Sequence, residues 1–146
     1  MKVKQILFKK GGEVYTVDEM TTVYDAIALM SEKDIGALVV MCRGIMCGII
    51  SERDYRNKVI LKGRKSKETP VRDIMTKDVK CVTEEYTMQD CMGIMSGKRI
   101  RHLPVIDEKR NLIGIISIGD IVKAIIDEQK SEIQNLRDYI TSSYPG

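Results

Sequence analysis

The chain has 146 residues, of which 43% are apolar and 31% charged, and a formal net charge of +3. That is the balance of a soluble globular protein, with room for one ordinary domain or two very small ones sharing a core. Apolar runs of only a few residues exclude a bilayer span, and the start MKVKQILFKKGG lacks a secretory apolar region. A cytoplasmic protein is expected. With one Phe and no Trp, few rings are available to stack on bases, and the basic cluster KGRKSK (62–67) reads as a solvated linker. Neither a nucleic-acid partner nor a membrane is expected.

In chain order, the lead-in VKQIL (3–7) reads as a short helical segment and VYTV (14–17) as a strand. Thr22 opens an amphipathic helix whose Val23, Ala26, Ile27 and Met30 keep the 3–4 spacing of one buried face. Two strands follow, ALVVM and MCGII, joined by a turn at CRG, and a helix begins inside GIISERD (48–54). The stretch KGRKSKETP (62–70) is polar, ends in proline and reads as a linker.

The same series then runs again. VRDIM (71–75) resembles the first lead-in, VKCV (79–82) the first strand, and Thr87 opens a helix with Met88, Cys91, Met92 and Met95 on its apolar face. LPVID and LIGII are the next strands, with Pro104 hinting at a sheet edge, and a helix begins in GIISIGD (114–120). Sliding the chain by 65 residues lays Val14, Glu19, Thr22, Asp25, Met30, Leu38 and Val40 on identical residues. With one extra residue in the second copy, GIIS falls on GIIS and Asp54 on Asp120. A β-α-β-β-α unit of about 60 residues is marginal alone, so two packed about an approximate two-fold axis are expected to form one body.

The expected fold class is mixed α/β (α+β): two such repeats packed together, with an extended C-terminal helix. Residues 1–68 form the first repeat with lead-in and linker, 69–135 the second, and 136–146 the helix end and tail. The last helix is expected from Ile118 to about Ser142. Its stripe Ile118, Val122, Ile125, Gln129, Ile133, Leu136 and Ile140 suits either packing on its own body or a dimer contact.

Four cysteines at 42, 47, 81 and 91 form no CxxC pair and read as reduced, mostly packed thiols. His102 is the only histidine, which excludes a His-rich metal site, and no metal is expected. The repeated phrase is more informative. Ser51 and Asp54, like Ser117 and Asp120, are spaced S-x-x-D where a strand becomes a helix, a capping-box-like pattern. The same arrangement presents free amides to an anion and a fixed carboxylate to the vicinal hydroxyls of a ribose.

The phrases GIISERD and GIISIGD, with IGALVVM and RIRHLPVID, resemble a tandem CBS-domain pair, or Bateman module, over almost all of residues 1–135. SERDY, SIGD and the closing DYITSSY are similar to the small stand-alone members. The resemblance implies head-to-tail repeats with clefts that take adenosine-containing ligands (AMP, ADP, ATP or NAD) as regulatory rather than obligatory groups. Carried onto this chain, Asp54 and Asp120 would hold ribose hydroxyls, with Ser51 and Ser117 assisting at sugar or phosphate. Ile35, Gly36 and Ala37 would border adenine, while Arg101 and His102 would lie near phosphate. Arg53 has the reach to pair with a phosphate, whereas an inward Glu52 would repel one, so unequal sites are expected.

A regulatory sensor acting on another polypeptide, as a homodimer, is the leading expectation. A constitutive interaction scaffold, with the phrases serving only as helix caps, is the alternative. An enzyme is not expected, because no phosphate-cradling GxxxxGK[ST] loop or metal-ligand cluster is present.

Overall fold

The computed structural model describes residues 1–143, with side chains through Thr141. Helix α1 (Val3–Lys10) precedes β1 (Thr16–Asp18), α2 (Val23–Lys33), β2 (Ala37–Cys42), β3 (Ile45–Ser51) and α3 (Glu52–Tyr55). The last of these continues as a π-helical turn, Arg56–Ile60. A 3-10 turn (Val71–Asp73) leads into α4 (Met88–Lys98), β4 (His102–Ile106), β5 (Leu112–Ser117) and the long α5 (Ile118–Ser143). The mixed α and β architecture, its two repeats and the extended final helix are as expected. Tyr144, which closes DYITSSY, and the last two residues of the expected tail lie outside the described residues.

The helices start where hydroxyls cap them. Thr22 Oγ1 accepts from the Asp25 amide at 3.2 Å. Thr87 Oγ1 accepts from the Asp90 amide at 3.0 Å, while the Asp90 carboxylate accepts from the Thr87 amide at 2.9 Å. Val23, Ala26 and Met30 bury the face of α2, and Met88, Cys91 and Met95 that of α4; Met92, expected with them, is 40% exposed.

In the first repeat β1 pairs parallel to β2, and β2 antiparallel to β3. The second repeat departs from this. VKCV forms no strand, only a bridge of Val82 to Val105, and β4–β5 remains two-stranded. The Val82 amide donates to the Pro104 carbonyl and Val82 accepts from the Ile106 amide. Extending this parallel ladder toward Lys80 needs an amide donor at position 104, and proline has none. Val39 occupies the equivalent place in β2, and there the ladder forms.

Two cores result, and the lead-ins are exchanged between them. Val71 and Ile74, ahead of the second repeat, pack with Val23, Leu38, Val40 and Ile50 of the first. Val3 and Ile6 of α1 pack with Met88, Leu103, Val105 and Ile116 of the second. The repeated glycines lie at these crossings. A Cβ on Gly48 would stand 2.6 Å from Met75 Sδ and 3.0 Å from the Thr76 carbonyl oxygen; one on Gly114 would stand 2.6 Å from Leu7 Cδ2.

The thiol expectation needs correction at two positions. Cys42 and Cys47 are joined in a disulfide, while Cys81 and Cys91 are free. Cys47 is the extra residue of a β-bulge, since Val40 pairs with Gly48 but Met41 with Met46. The bulge re-aims its side chain toward Cys42, with the Cα atoms 5.7 Å apart, inside disulfide range. The linker, for its part, is laid on α2: Ser66 and Thr69 carbonyls accept from the Tyr24 and Val23 amides.

Candidate functional site

A cleft of about 860 Å³ opens between the repeats. From the first repeat it is lined by Ile35, Gly36, Ser51, Arg53 and Asp54, and from the second by Arg101 and His102. Of the residues singled out in sequence, these seven share one surface. Ala37 does not reach it; it begins β2 and is 4% exposed. Ser117 and Asp120 lie outside this cleft, at the matching strand-to-helix junction of the second repeat.

Ser51 and Asp54 form a reciprocal capping box. Asp54 Oδ2 accepts from the Ser51 amide at 3.0 Å and the Ser51 hydroxyl at 3.1 Å. Asp54 Oδ1 faces Lys58 Nζ at 2.9 Å, and that ammonium also donates to the Ile74 carbonyl at 2.9 Å. Asp54 is 8% exposed, a charged group held at a helix entrance by the dipole and by these donors. The second junction repeats the box: Asp120 Oδ2 accepts from the Ser117 amide at 2.8 Å, and Ser117 Oγ accepts from the Asp120 amide at 3.1 Å.

What differs is the cation. Lys10, at the end of α1, donates to Asp120 Oδ2 and to the Ile115 carbonyl, both at 2.8 Å. An ammonium from the exchanged lead-in thus occupies the acceptor that, by the repeat's symmetry, corresponds to Asp54. The two junctions therefore differ in the segment that supplies the cation, Lys58 at the first and Lys10 at the second.

Around the first cleft, Arg53 reaches across the repeats and donates to the Arg99 carbonyl at 2.6 Å. Glu52 also lines it, beside Gly36, where a Cβ would stand 3.4 Å from Glu52 Oε1 and 3.4 Å from His102 Cε1. Burial pushes the His102 imidazole below its ordinary value of 6.5; Lys10 and Arg101 add to that, and Asp120 opposes it. Thr76, Asp78 and Lys80 line the cleft as well and escape a reading of the sequence. They follow the second lead-in, and only its exchange onto the first repeat brings them there.

The CBS domain model matches the chain twice, over residues 3–60 and 71–127. The chain belongs to the CBS-domain family. It is 47% identical over 128 residues to CBS domain-containing protein CBSX3, mitochondrial, of Arabidopsis thaliana, covering 84% of this chain and 62% of that one. The chain therefore spans less than two thirds of that relative. A CBS-domain protein from Burkholderia ambifaria MC40-6 superposes with a TM-score of 0.85 at 48% identity, covering 88% of this chain and 96% of its own. The CBS domain pair of protein MJ0100, solved with 5'-methylthioadenosine and S-adenosyl-L-methionine, superposes with a TM-score of 0.76 at 25% identity, covering 86% and 99%. A CBS pair is a regulatory module. Among the described residues no helix is long and apolar enough to cross a membrane.

Proposed function

We propose that this CBS pair is a non-catalytic sensor that binds one adenosine-containing ligand (AMP, ADP, ATP or NAD) per chain and passes its occupancy to a partner protein. The observation that carries the reading is the open cleft bringing the Ser51–Asp54 box of one repeat against Arg101 and His102 of the other. In it the Asp54 carboxylate accepts ribose hydroxyls, the apolar wall at Ile35 and the backbone of Gly36 receive adenine, and Arg53, Arg101 and Lys80 supply cations for phosphate. The adenosine ligands of the MJ0100 pair support that chemistry. Lys10 pairs with Asp120 as Lys58 does with Asp54, so a diol at either junction competes with an ammonium; the two differ in that only the first junction lines this cleft.

Binding that favours one packing of the repeats by about 1–3 kcal/mol is enough to alter a partner's affinity. The scaffold alternative draws on a specific observation too, since both Ser-x-x-Asp pairs do cap helices. Calorimetry with AMP, ADP, ATP and NAD separates the two. The sensor gives a saturable isotherm near one ligand per chain with at least one of them, and silence across the panel leaves the scaffold.

The homodimer is inferred from α5. Residues 129–141 are all exposed, which removes packing on the body as their explanation. Ile126, Ile133 and Ile140 recur every seven residues, with Val122 and Leu136 at the alternate heptad position. In a parallel pair of α5 helices, Glu132 of one copy meets Arg137 of the other, so charge favours a second copy of this helix.

A further inference from the structure

The hairpin β2–β3 carries chemistry that the cleft does not use. Glu19 follows β1, Cys42 ends β2 and Cys47 is the bulged residue of β3, so three strands deliver one donor each to the same end of the sheet. One ligand atom from each lies within 4.8 Å of the other two, and all three residues are half-buried. The Glu19 backbone is fixed by its amide donating to the Met41 carbonyl at 3.2 Å. Its carboxylate Oε2 stands 2.9 Å from Cys42 Sγ. A disulfide sulfur carries no proton, so two electron-rich atoms face each other with no hydrogen between them. Such a half-buried contact is relieved when the pair shares a cation.

The second repeat separates this arrangement from the needs of the fold. Glu84, Asp107 and Ile113 occupy the places of Glu19, Cys42 and Cys47, and β5 carries the same bulge. There the Asp107 carboxylate closes the turn, accepting from the Lys109 and Asn111 amides at 2.9 and 2.8 Å. The bulge forms without sulfur, so the thiols are an addition confined to the first repeat.

We propose that Glu19, Cys42 and Cys47, once the disulfide is reduced, form a binding site for a thiophilic divalent cation of the zinc type, and that the disulfide is the closed form of that site. Two sulfurs and a carboxylate, with water in the fourth position, are a donor set such an ion accepts tetrahedrally. At metal–sulfur distances of about 2.3 Å the sulfurs stand about 3.8 Å apart. Side-chain rotation across Cα atoms 5.7 Å apart provides that opening. A dithiol reductant supplies two electrons and two protons: the Cys42–Cys47 bond breaks, two thiols form, and the dithiol leaves as its own disulfide. Cation capture then releases both thiol protons to solvent as two metal–sulfur bonds form. A disulfide oxidant removes the two electrons again, re-forming the bond and ejecting the ion.

The test uses the full chain, reduced with a dithiol, freed of reductant under anaerobic conditions and titrated with Co²⁺, with Zn²⁺ as competitor. A thiolate-to-cobalt charge-transfer band saturating at one ion per chain is expected, displaced by Zn²⁺ and absent from unreduced protein. Cys42→Ser and Cys47→Ser remove the band, and Glu19→Gln, which preserves shape, weakens Co²⁺ binding at least tenfold. The double variant Cys81→Ser, Cys91→Ala keeps it. Absence of the band in reduced wild type, or its survival without Cys42 and Cys47, overturns the site.

Discussion

Replacing Asp54 with asparagine separates its capping duty from its proposed grip on ribose. Asparagine keeps one oxygen, and the Oδ2 position, where the Ser51 amide and hydroxyl converge at 3.0 and 3.1 Å, is the place that satisfies most donors. The amide nitrogen then takes the Oδ1 position and faces Lys58 Nζ, donor against donor, across what was a 2.9 Å ion pair. Lys58 is half exposed and keeps the Ile74 carbonyl, so this loss costs about 1 kcal/mol or less of stability. A ribose hydroxyl meets the same reversal. Losing one hydrogen bond to a charged acceptor removes about 1.5–3 kcal/mol, which is roughly a ten- to hundredfold rise in Kd.

The assay is calorimetric titration of wild type and Asp54→Asn with whichever nucleotide of the panel binds, alongside thermal melts of both. The expected pattern is a nearly unchanged midpoint with affinity down by one to two orders of magnitude. Equal affinity in a cooperatively folded variant would refute the assignment of Asp54 as the ribose acceptor.

Three further outcomes test other parts of the structure. Gly114→Ala places a Cβ 2.6 Å from Leu7 Cδ2 and is expected to cost about 1–3 kcal/mol by denaturant unfolding. Leu7→Ala in the same chain should recover part of that cost, and strict additivity would show that the two do not meet. His102 titrates below its unfolded value of 6.5, so both states are neutral above that pH and stability is whole there. As pH falls from 6.5 to the lower folded value, the unfolded state binds its proton first and stability drops; His102→Gln should flatten that step in melts between pH 7.5 and 5. For α5, Ile133→Asp with Leu136→Asp should convert a dimer to a monomer in sedimentation equilibrium, and a monomeric wild type would sink the helix pairing.

What the sequence disclosed and what it hid follow from the range of the forces involved. Caps at Thr22 and Thr87, the α2 and α4 faces (Met92 apart) and the β2–β3 and β4–β5 hairpins are set by residues within a few positions of one another, and were legible. The missing strand at VKCV was not, because its ladder depends on an amide that Pro104, distant in sequence, cannot supply. The disulfide escaped because a one-residue bulge decides whether Cys47 points toward Cys42. The glycines of the repeated phrase have as neighbours Met75, Thr76 and Leu7, each from the other repeat's lead-in, and nothing local in the phrase points to them. Nothing in a 3–4 or alternating pattern says onto which of two similar cores a short segment will fold.

That exchange bears on how occupancy leaves the cleft. Lys58, the partner of Asp54, also holds the Ile74 carbonyl in the second lead-in. Lys10, the partner of Asp120, is itself part of the first lead-in. Each carboxylate at a helix entrance is therefore tied through one ammonium to the segment that joins it to the opposite repeat. On the proposed reading, a ribose that takes Asp54 Oδ1 competes with Lys58 for the same lone pairs, and the contact to residue 74 must hold without its countercharge. Ile74 is 2% exposed in the first core, and the chain beyond it runs past Thr76, whose amide and carbonyl pair with Ile49 at 2.9 and 3.0 Å. On that reading a change at Asp54 acts, through Lys58 and the Ile74 carbonyl, on the strand segment bearing Gly48 and on the entry to the second repeat.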